Sequence, residues 1–170
     1  MKPKWWNKAK KQLSKRDIVM KKLLSVYKGH LTTRNNFFYS LTRSIISQQI
    51  SVSAADSVFS KFEKKCRSKI NPKTVSKLSI TDLRRCGLSR MKALGIKSLA
   101  DKILDKSFTP KLIKQMSDEE AISYLSSLRQ IGRWSSEMVL IFFYNRPNIW
   151  PVQDIGLLRA ISNNYKKKYL

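Results

Sequence analysis

The amino-acid sequence predicts an all-α protein. Alternation of period two among β-branched residues is scarcely visible in any stretch, whereas apolar residues recur at the three- and four-residue spacing of a helix face. Polar cap residues stand just ahead of several of these runs, as at Asn35-Asn36 and Ser117. Leu128 to Arg133 then joins two helical runs by a turn too short to be anything but tight, so a helix-turn-helix corner is expected there.

Residues Lys2 to Lys28 are dominated by Lys and Arg, with Leu13, Ile18, Leu23, Leu24 and Tyr27 at helical intervals, which predicts one or two amphipathic helices. Trp5 and Trp6 either fix this arm to the body or stack on nucleic-acid bases. The single histidine, His30, has no His or Cys at a ligand-like spacing and is assigned no chemistry.

Asn35-Asn36 caps a helix from Phe37 whose inner face carries Phe38, Leu41, Ile45 and Ile46 and which ends around Gln48-Gln49-Ile50. Ser51 or Ser53 caps the next helix, with Ala54, Ala55, Val58, Phe59 and Phe62 inward. The adjacent amides Gln48 and Gln49 read either as an exposed helix end or as a polar wedge at the border of a cleft.

Lys64 to Lys77 reads as a loop broken at Asn71-Pro72. Ser79 or Thr81 opens a short helix, Asp82 to Cys86, that Gly87 stops. A helix through Met91, Leu94, Ile96, Leu99, Ile103 and Leu104 follows, with Gly95 in its interior as a discordant note. Thr109-Pro110 marks a turn, and Ser117-Asp118-Glu119-Glu120 is a capping box for a helix with Ala121, Ile122, Leu125 and Leu128 inward.

A chain of 170 residues, with 42% apolar content spread along it, is the size of one domain and can bury a core. With 35 Lys+Arg against 11 Asp+Glu it carries a formal net charge of +24. Self-repulsion of that size is most tolerable beside a polyanion, nucleic acid first and an anionic membrane surface second. Two cysteines, Cys66 and Cys86, are too few for a disulfide scaffold or a thiolate-held metal site. Neither a signal-like nor a membrane-spanning apolar run is present, so a cytoplasmic protein is expected, associated with the nucleoid in a bacterium or nuclear in a eukaryote.

In the corner itself Gly132 is expected to supply the backbone freedom of the turn, and the helix after it presents free N–H groups with Arg133 beside them. Such an end suits a phosphate; a plain helix–helix corner is the alternative. Beyond it, a helix over Ser135 to Tyr144 and a loop from Pro147 to Pro151 lead to Asp154, the one acidic residue from Met138 to the C-terminus, in a region carrying Arg146, Arg159 and Lys166 to Lys168. An isolated carboxylate opposes DNA binding, so it needs another role. It can cap the amphipathic run Ile155, Leu157, Leu158 and Ile161, it can act on a sugar, or it can do both.

The runs RSIISQQISVSAA, IGRWSSEM and WPVQDIGLLRA, in that order, resemble the helix-hairpin-helix DNA glycosylases, in particular the DNA-3-methyladenine glycosylase II group. The resemblance covers nearly the whole chain from Trp5. It implies one domain over 1–170 made of two small helical lobes around a cleft, with the hairpin at about 121–144 and the catalytic loop and helix at about 145–164. By residue, it implies that Asp154 is the catalytic aspartate, that Gln130, Ile131, Gly132 and Arg133 contact the phosphate backbone through main-chain amides, and that Gln49 fills the gap left by an extruded base. Trp134, with Met138, is placed at the base pocket; relatives that form a Schiff base carry a lysine at the Trp134 position, so a monofunctional enzyme without lyase activity is implied. A monovalent cation on the carbonyls of Ser126, Leu128 and Ile131 is implied as a structural ion, with no cofactor required. The expected partner is double-stranded DNA containing alkylated bases, bound by a monomer.

Two departures stand out. Arg129-Gln130 replace the Pro-Gly or Lys-Gly that usually opens the family's hairpin, and the chain stops at Tyr169-Leu170 where members continue into an aromatic-rich helix, implying a truncated chain or an incomplete pocket wall.

Cleaving an N-glycosidic bond builds positive charge on the sugar, and a fixed carboxylate stabilises it directly or through an attacking water. An alkylated purine such as 3-methyladenine is already cationic and leaves without a dedicated acid. The target must first leave the stack, at a few kcal/mol. The alternative to an enzyme is a non-catalytic helix-hairpin-helix protein that grips damaged or bent duplex.

Overall fold

Residues 2–166 are described by the structure, a computed structural model; Met1 and the tail over 167–170, which holds part of the basic Lys166 to Lys168 run, lie outside them. The described residues contain no strand. Their helices are α1 (Trp6–Arg16), α2 (Ile18–Val26), α3 (Phe37–Ser47), α4 (Val52–Lys65), α5 (Pro72–Ser76), α6 (Ile80–Arg85), α7 (Arg90–Leu104), α8 (Asp118–Ser126), α9 (Arg133–Phe142) and α10 (Ile155–Tyr165), with a 3-10 helix at Pro110–Gln115 before α8.

α3 is the axis of the core. Asn36 Oδ1 accepts the Tyr39 amide at 2.9 Å and starts the helix, and Phe37, Phe38, Leu41, Ile45 and Ile46 are buried along it. Each fully buried aliphatic or aromatic side chain of this kind contributes about 1.5–3 kcal/mol. α3 packs against α4, α7 and α9; α5 and α6 pack on α7, and α8 on α9. It thereby joins two groups of helices, and its C-terminal end lies at the cleft between them.

Several local expectations are corrected. The stretch 64–77 is not all loop, because α4 runs on to Lys65 and Asn71 Oδ1 accepts the Thr74 amide at 2.9 Å to start α5, with Pro72 in the first turn. Proline there opens a helix instead of breaking one, since its missing N–H would be unsatisfied anyway. Ser51 caps α4, and Ser79 forms a capping box with Asp82. Ala54 faces solvent, because the inner stripe of α4 is Ala55, Phe59 and Phe62. Met91 and Leu104, at the two ends of α7, are exposed as well.

The basic N-terminal segment forms two helices, but neither buries a residue, and Leu13, Ile18 and Tyr27 are exposed. Trp5 holds the segment to the body: its indole N–H donates to the Asn145 carbonyl at 2.7 Å. α10 likewise buries none of its residues. Its Leu157, Leu158, Ile161 and Tyr165 line an open groove of about 500 Å³ with Trp150 and Val152. No helix among the described residues is long and apolar enough to cross a membrane.

Candidate active-site cleft

The hairpin between α8 and α9 differs in detail from the sequence expectation. Its left-handed residue is Gln130, at φ 65°, while Gly132 is extended at φ −101° and ψ −176°, a conformation open to any residue. Gly132 is therefore not required for the turn's dihedrals. It is the N-cap of α9 and makes no side-chain cap, and a Cβ placed on it would meet nothing within 4 Å. A residue without a side chain leaves the first-turn amides of α9 open to approach by a large anion. The Ile131 amide does not share that role, because it donates to the Leu128 carbonyl at 3.1 Å and Ile131 is buried.

Gln48 and Gly95 meet the hairpin from outside, and Lys92 fixes the end of α3 from which Gln48 reaches it. Gln48 Nε2 donates to the Gln130 carbonyl at 2.8 Å and to Ser135 Oγ at 3.0 Å, tying the end of α3 to the left-handed residue and to α9. The Lys92 ammonium donates to the carbonyls of Ile46 and Gln48 at 2.8 and 2.7 Å, closing the C-terminal end of α3 where a cation is favoured. Burial pulls its pKa below the ordinary lysine value. The third is Gly95: a Cβ there would lie 2.9 Å from Gln130 Cβ and 3.1 Å from the Arg129 carbonyl. The hairpin packs directly on the α7 backbone at this point, which explains a glycine in mid-helix.

Asp154 is both a helix cap and a cleft residue. Its Oδ1 accepts the Leu157 amide at 2.7 Å at the start of α10, and its Oδ2 accepts the Trp134 indole N–H at 2.8 Å. One bond fixes the carboxylate to its own helix and the other to the first turn of α9, so hairpin and carboxylate form one unit. Asp154 and Trp134 line a cleft of about 470 Å³ with Ser47, Gln48, Gln49 and Gln153. Gln49 is exposed and left-handed at φ 56°, just beyond α3. Met138 is not in this cleft. It lines an adjoining recess of about 130 Å³ with Arg34, Arg43, Ser44 and Phe142, which shares Ser47 and Trp134 with the cleft.

The Arg133 side chain is engaged within the hairpin. Its guanidinium is forked on Glu119 at 2.6 and 2.9 Å and donates to Glu137 at 3.0 Å, so its charge is met by two acids of the hairpin itself. The side chain therefore clamps α9 to the start of α8, and only its main-chain amide remains for a phosphate. Glu119 is held below its ordinary pKa by Arg133, and Glu137, 3% exposed, is raised by burial.

The carbonyls that would hold a cation are those of Ser126, Leu128 and Ile131, at the end of α8 and in the hairpin turn. Ser126 is the last residue of α8, where a helix leaves carbonyls without intrahelical partners. The Leu128 carbonyl accepts the Ile131 amide and keeps a second lone pair. Neutral carbonyl oxygens are the donor type that a hard cation takes.

Lys92 and Gly95 were missed as site residues by the sequence reading, whereas Gln48 was read with Gln49 as a polar wedge at a cleft, one of two alternatives, without its bond to the hairpin. Gly95 did carry a signal in its discordant helical position. Nothing in the sequence singled out Lys92 among the lysines.

An all-α chain with an uncapped hairpin helix tied to a lone cleft carboxylate has the architecture of a helix-hairpin-helix DNA-repair protein. Residues 42–168 match the model of the HhH-GPD superfamily base excision DNA repair protein family, and the chain belongs to that family. It is 30% identical over 132 residues to DNA-3-methyladenine glycosylase 1 of Schizosaccharomyces pombe, covering 76% of this chain and 56% of that one. Among solved structures it is similar to the Schizosaccharomyces pombe 3-methyladenine DNA glycosylase in complex with abasic DNA, at TM-score 0.81 and 28% identity over 94% of this chain and 81% of that one. It is also similar to the 3-methyladenine DNA-glycosylase of Archaeoglobus fulgidus, at TM-score 0.77 and 28% identity over 91% and 56% of the two chains. The chain spans about half the length of the curated relatives it matches.

Proposed function

We propose that the protein is a base-excision DNA glycosylase that hydrolyses the N-glycosidic bond of alkylated purines such as 3-methyladenine in double-stranded DNA, in the manner of the DNA-3-methyladenine glycosylase II group and without lyase activity. The observation that carries this reading is the Asp154 carboxylate, fixed by Leu157 and Trp134 at the rim of a cleft beside the hairpin. The relative bound to abasic DNA supports DNA as the partner.

On this reading the open amides of the first turn of α9 take one backbone phosphate, and Gln49 enters the gap left by the extruded nucleotide. Extrusion costs a few kcal/mol, least for damaged bases, and contacts to phosphate offset it. As the C1′–N bond lengthens, its electron pair passes to the base and positive charge grows on the sugar. Asp154 stabilises that charge, and it orients the water that adds to C1′ and accepts its proton. None of the described residues that line the cleft is a lysine, which supports hydrolysis without a Schiff base. A monovalent cation, when bound by the carbonyls of Ser126, Leu128 and Ile131, supplies positive charge near the phosphate site.

The test is release of free base from a methylated duplex. Binding without release would leave a damage-binding protein in place of an enzyme.

A further inference from the structure

The end of α4 remote from the cleft carries a second basic surface. Ser51, the N-cap of α4, follows closely on Gln49 of the cleft, and from there the helix runs to Lys65, a rise of about 20 Å. At that end α4 and α5 border an open groove of about 590 Å³. Lys64 and Arg67 line it from around the end of α4, and Lys73 and Lys77 from α5 and its C-cap. Val75 is buried and the Lys97 ammonium donates to the Ser76 carbonyl, so α5 is fixed to α7 and the groove keeps its shape.

Lys64, Arg67, Lys73 and Lys77 are all exposed, and none of them is in an ion pair among the described residues. From Lys61 to Arg90 the acids are Glu63 and Asp82, and Asp82 is taken by Lys65 at 2.8 Å. Charges on one solvated helix face point away from other elements. Here two elements on either side of the Asn71 cap bring theirs to one groove, and a polyanion that enters relieves their repulsion. Among the described residues that line the groove Leu78 alone is apolar, so it lacks the aromatic and aliphatic anchors that hold a protein partner. A phosphate backbone needs no such anchor.

We infer that this groove holds the phosphate backbone of a second DNA segment while the Asp154 cleft holds the first. The inference goes beyond the glycosylase reading and takes from it only that the cleft receives DNA. With sites at the two ends of α4, the protein passes from one duplex to another without letting go of both.

The experiment mixes the full chain with two short duplexes, one methylated and carrying a donor dye, the other intact and carrying an acceptor, and reads energy transfer at protein below duplex concentration. Transfer is expected with the unaltered protein. Changing Lys64→Gln, Arg67→Gln, Lys73→Gln and Lys77→Gln together is expected to weaken capture of the second duplex by about tenfold or more. Changing Lys8→Gln, Lys11→Gln, Lys15→Gln and Arg16→Gln together removes the same charge from α1 and is expected to leave transfer near its original level. Base release in single turnover is expected to stay within a few-fold in both variants. The milder pair Arg67→Gln and Lys77→Gln, with a loss of about threefold or more, gives the reading if the larger change unfolds the chain. No transfer with the unaltered protein, or equal loss in the groove and α1 variants, overturns the inference. So does base release that falls together with transfer in the milder pair, which would seat the groove on the first duplex. Preference of the groove for poly-glutamate over the intact duplex overturns it in favour of an acidic protein partner. Bridging without base release by the unaltered protein overturns the glycosylase reading and leaves this one standing, so the two failures are told apart.

Discussion

The Trp134 indole N–H donates to Asp154 Oδ2 at 2.8 Å, across 20 residues of sequence, while the Leu157 amide holds Oδ1 at 2.7 Å. The same indole borders both the cleft and the recess beside it. One side chain therefore sets the direction of the carboxylate and walls both spaces beside it.

Trp134→Phe removes that hydrogen bond and keeps most of the ring. Hydrogen bonds to charged groups contribute about 1.5–3 kcal/mol, which is about ten- to a hundredfold in rate where the bond fixes the reacting group. Base release is expected to fall within that range while the urea midpoint of unfolding hardly moves. An unchanged rate would show that Leu157 alone positions Asp154.

Strand nicking separates the hydrolytic reading from the Schiff-base one. Borohydride added during turnover is expected to trap no covalent protein–DNA adduct, because the described residues that line the cleft include no lysine. An adduct would place an amine at the sugar and overturn the role given to Trp134.

The helices were largely legible because apolar spacing and cap residues agree along the chain: Asn36, Ser79 and Ser117 each cap the helix that their sequence context announced. Asp154 was legible through its isolation among basic residues. Less visible was everything that depends on two distant segments meeting. Lys92 is one lysine among many until α3 ends beside it, and Arg34 gains meaning only where Phe142 folds over it. The pairing of the Arg133 guanidinium with Glu119 and Glu137 was not foreseen, although both acids are near in sequence, and it leaves the main-chain role given to Arg133 untouched. Gly132 was credited with a dihedral that Gln130 adopts.

Gly95→Ala tests the contact between α7 and the hairpin. The new Cβ would sit 2.9 Å from Gln130 Cβ and 3.1 Å from the Arg129 carbonyl, so the hairpin must shift. The overpacking is expected to cost about 1–3 kcal/mol in stability despite alanine's better helix propensity, and to weaken duplex binding. A gain in stability would mean that the hairpin yields freely at this point.

Acid should destabilise the fold. Asp82 is held below its ordinary pKa by Lys65 and Ser79, Glu119 by Arg133 and Glu120 by Ser117. A depressed folded pKa contributes stability that is present above the unfolded value, near 4 for a carboxylate, and is lost as pH falls through the folded value. Urea midpoints are expected to decline below about pH 4, and Glu119→Gln should flatten part of that decline. Glu137 opposes the trend, because its raised pKa gives stability below the unfolded value that is lost as pH rises. A midpoint flat from pH 5 to 2 would contradict the pairings.

If the Asp154 charge performs the chemistry, Asp154→Asn removes it. Asparagine caps a helix about as well as aspartate, so the bond to Leu157 and the start of α10 are retained; its amide nitrogen cannot accept the Trp134 indole N–H, and Trp134→Phe measures that loss separately. Free base released from a methylated duplex is measured beside duplex affinity. Release is expected to be abolished while affinity holds or rises, since a negative charge has left the cleft proposed to take DNA. Release surviving within a few-fold of the unaltered protein would contradict it.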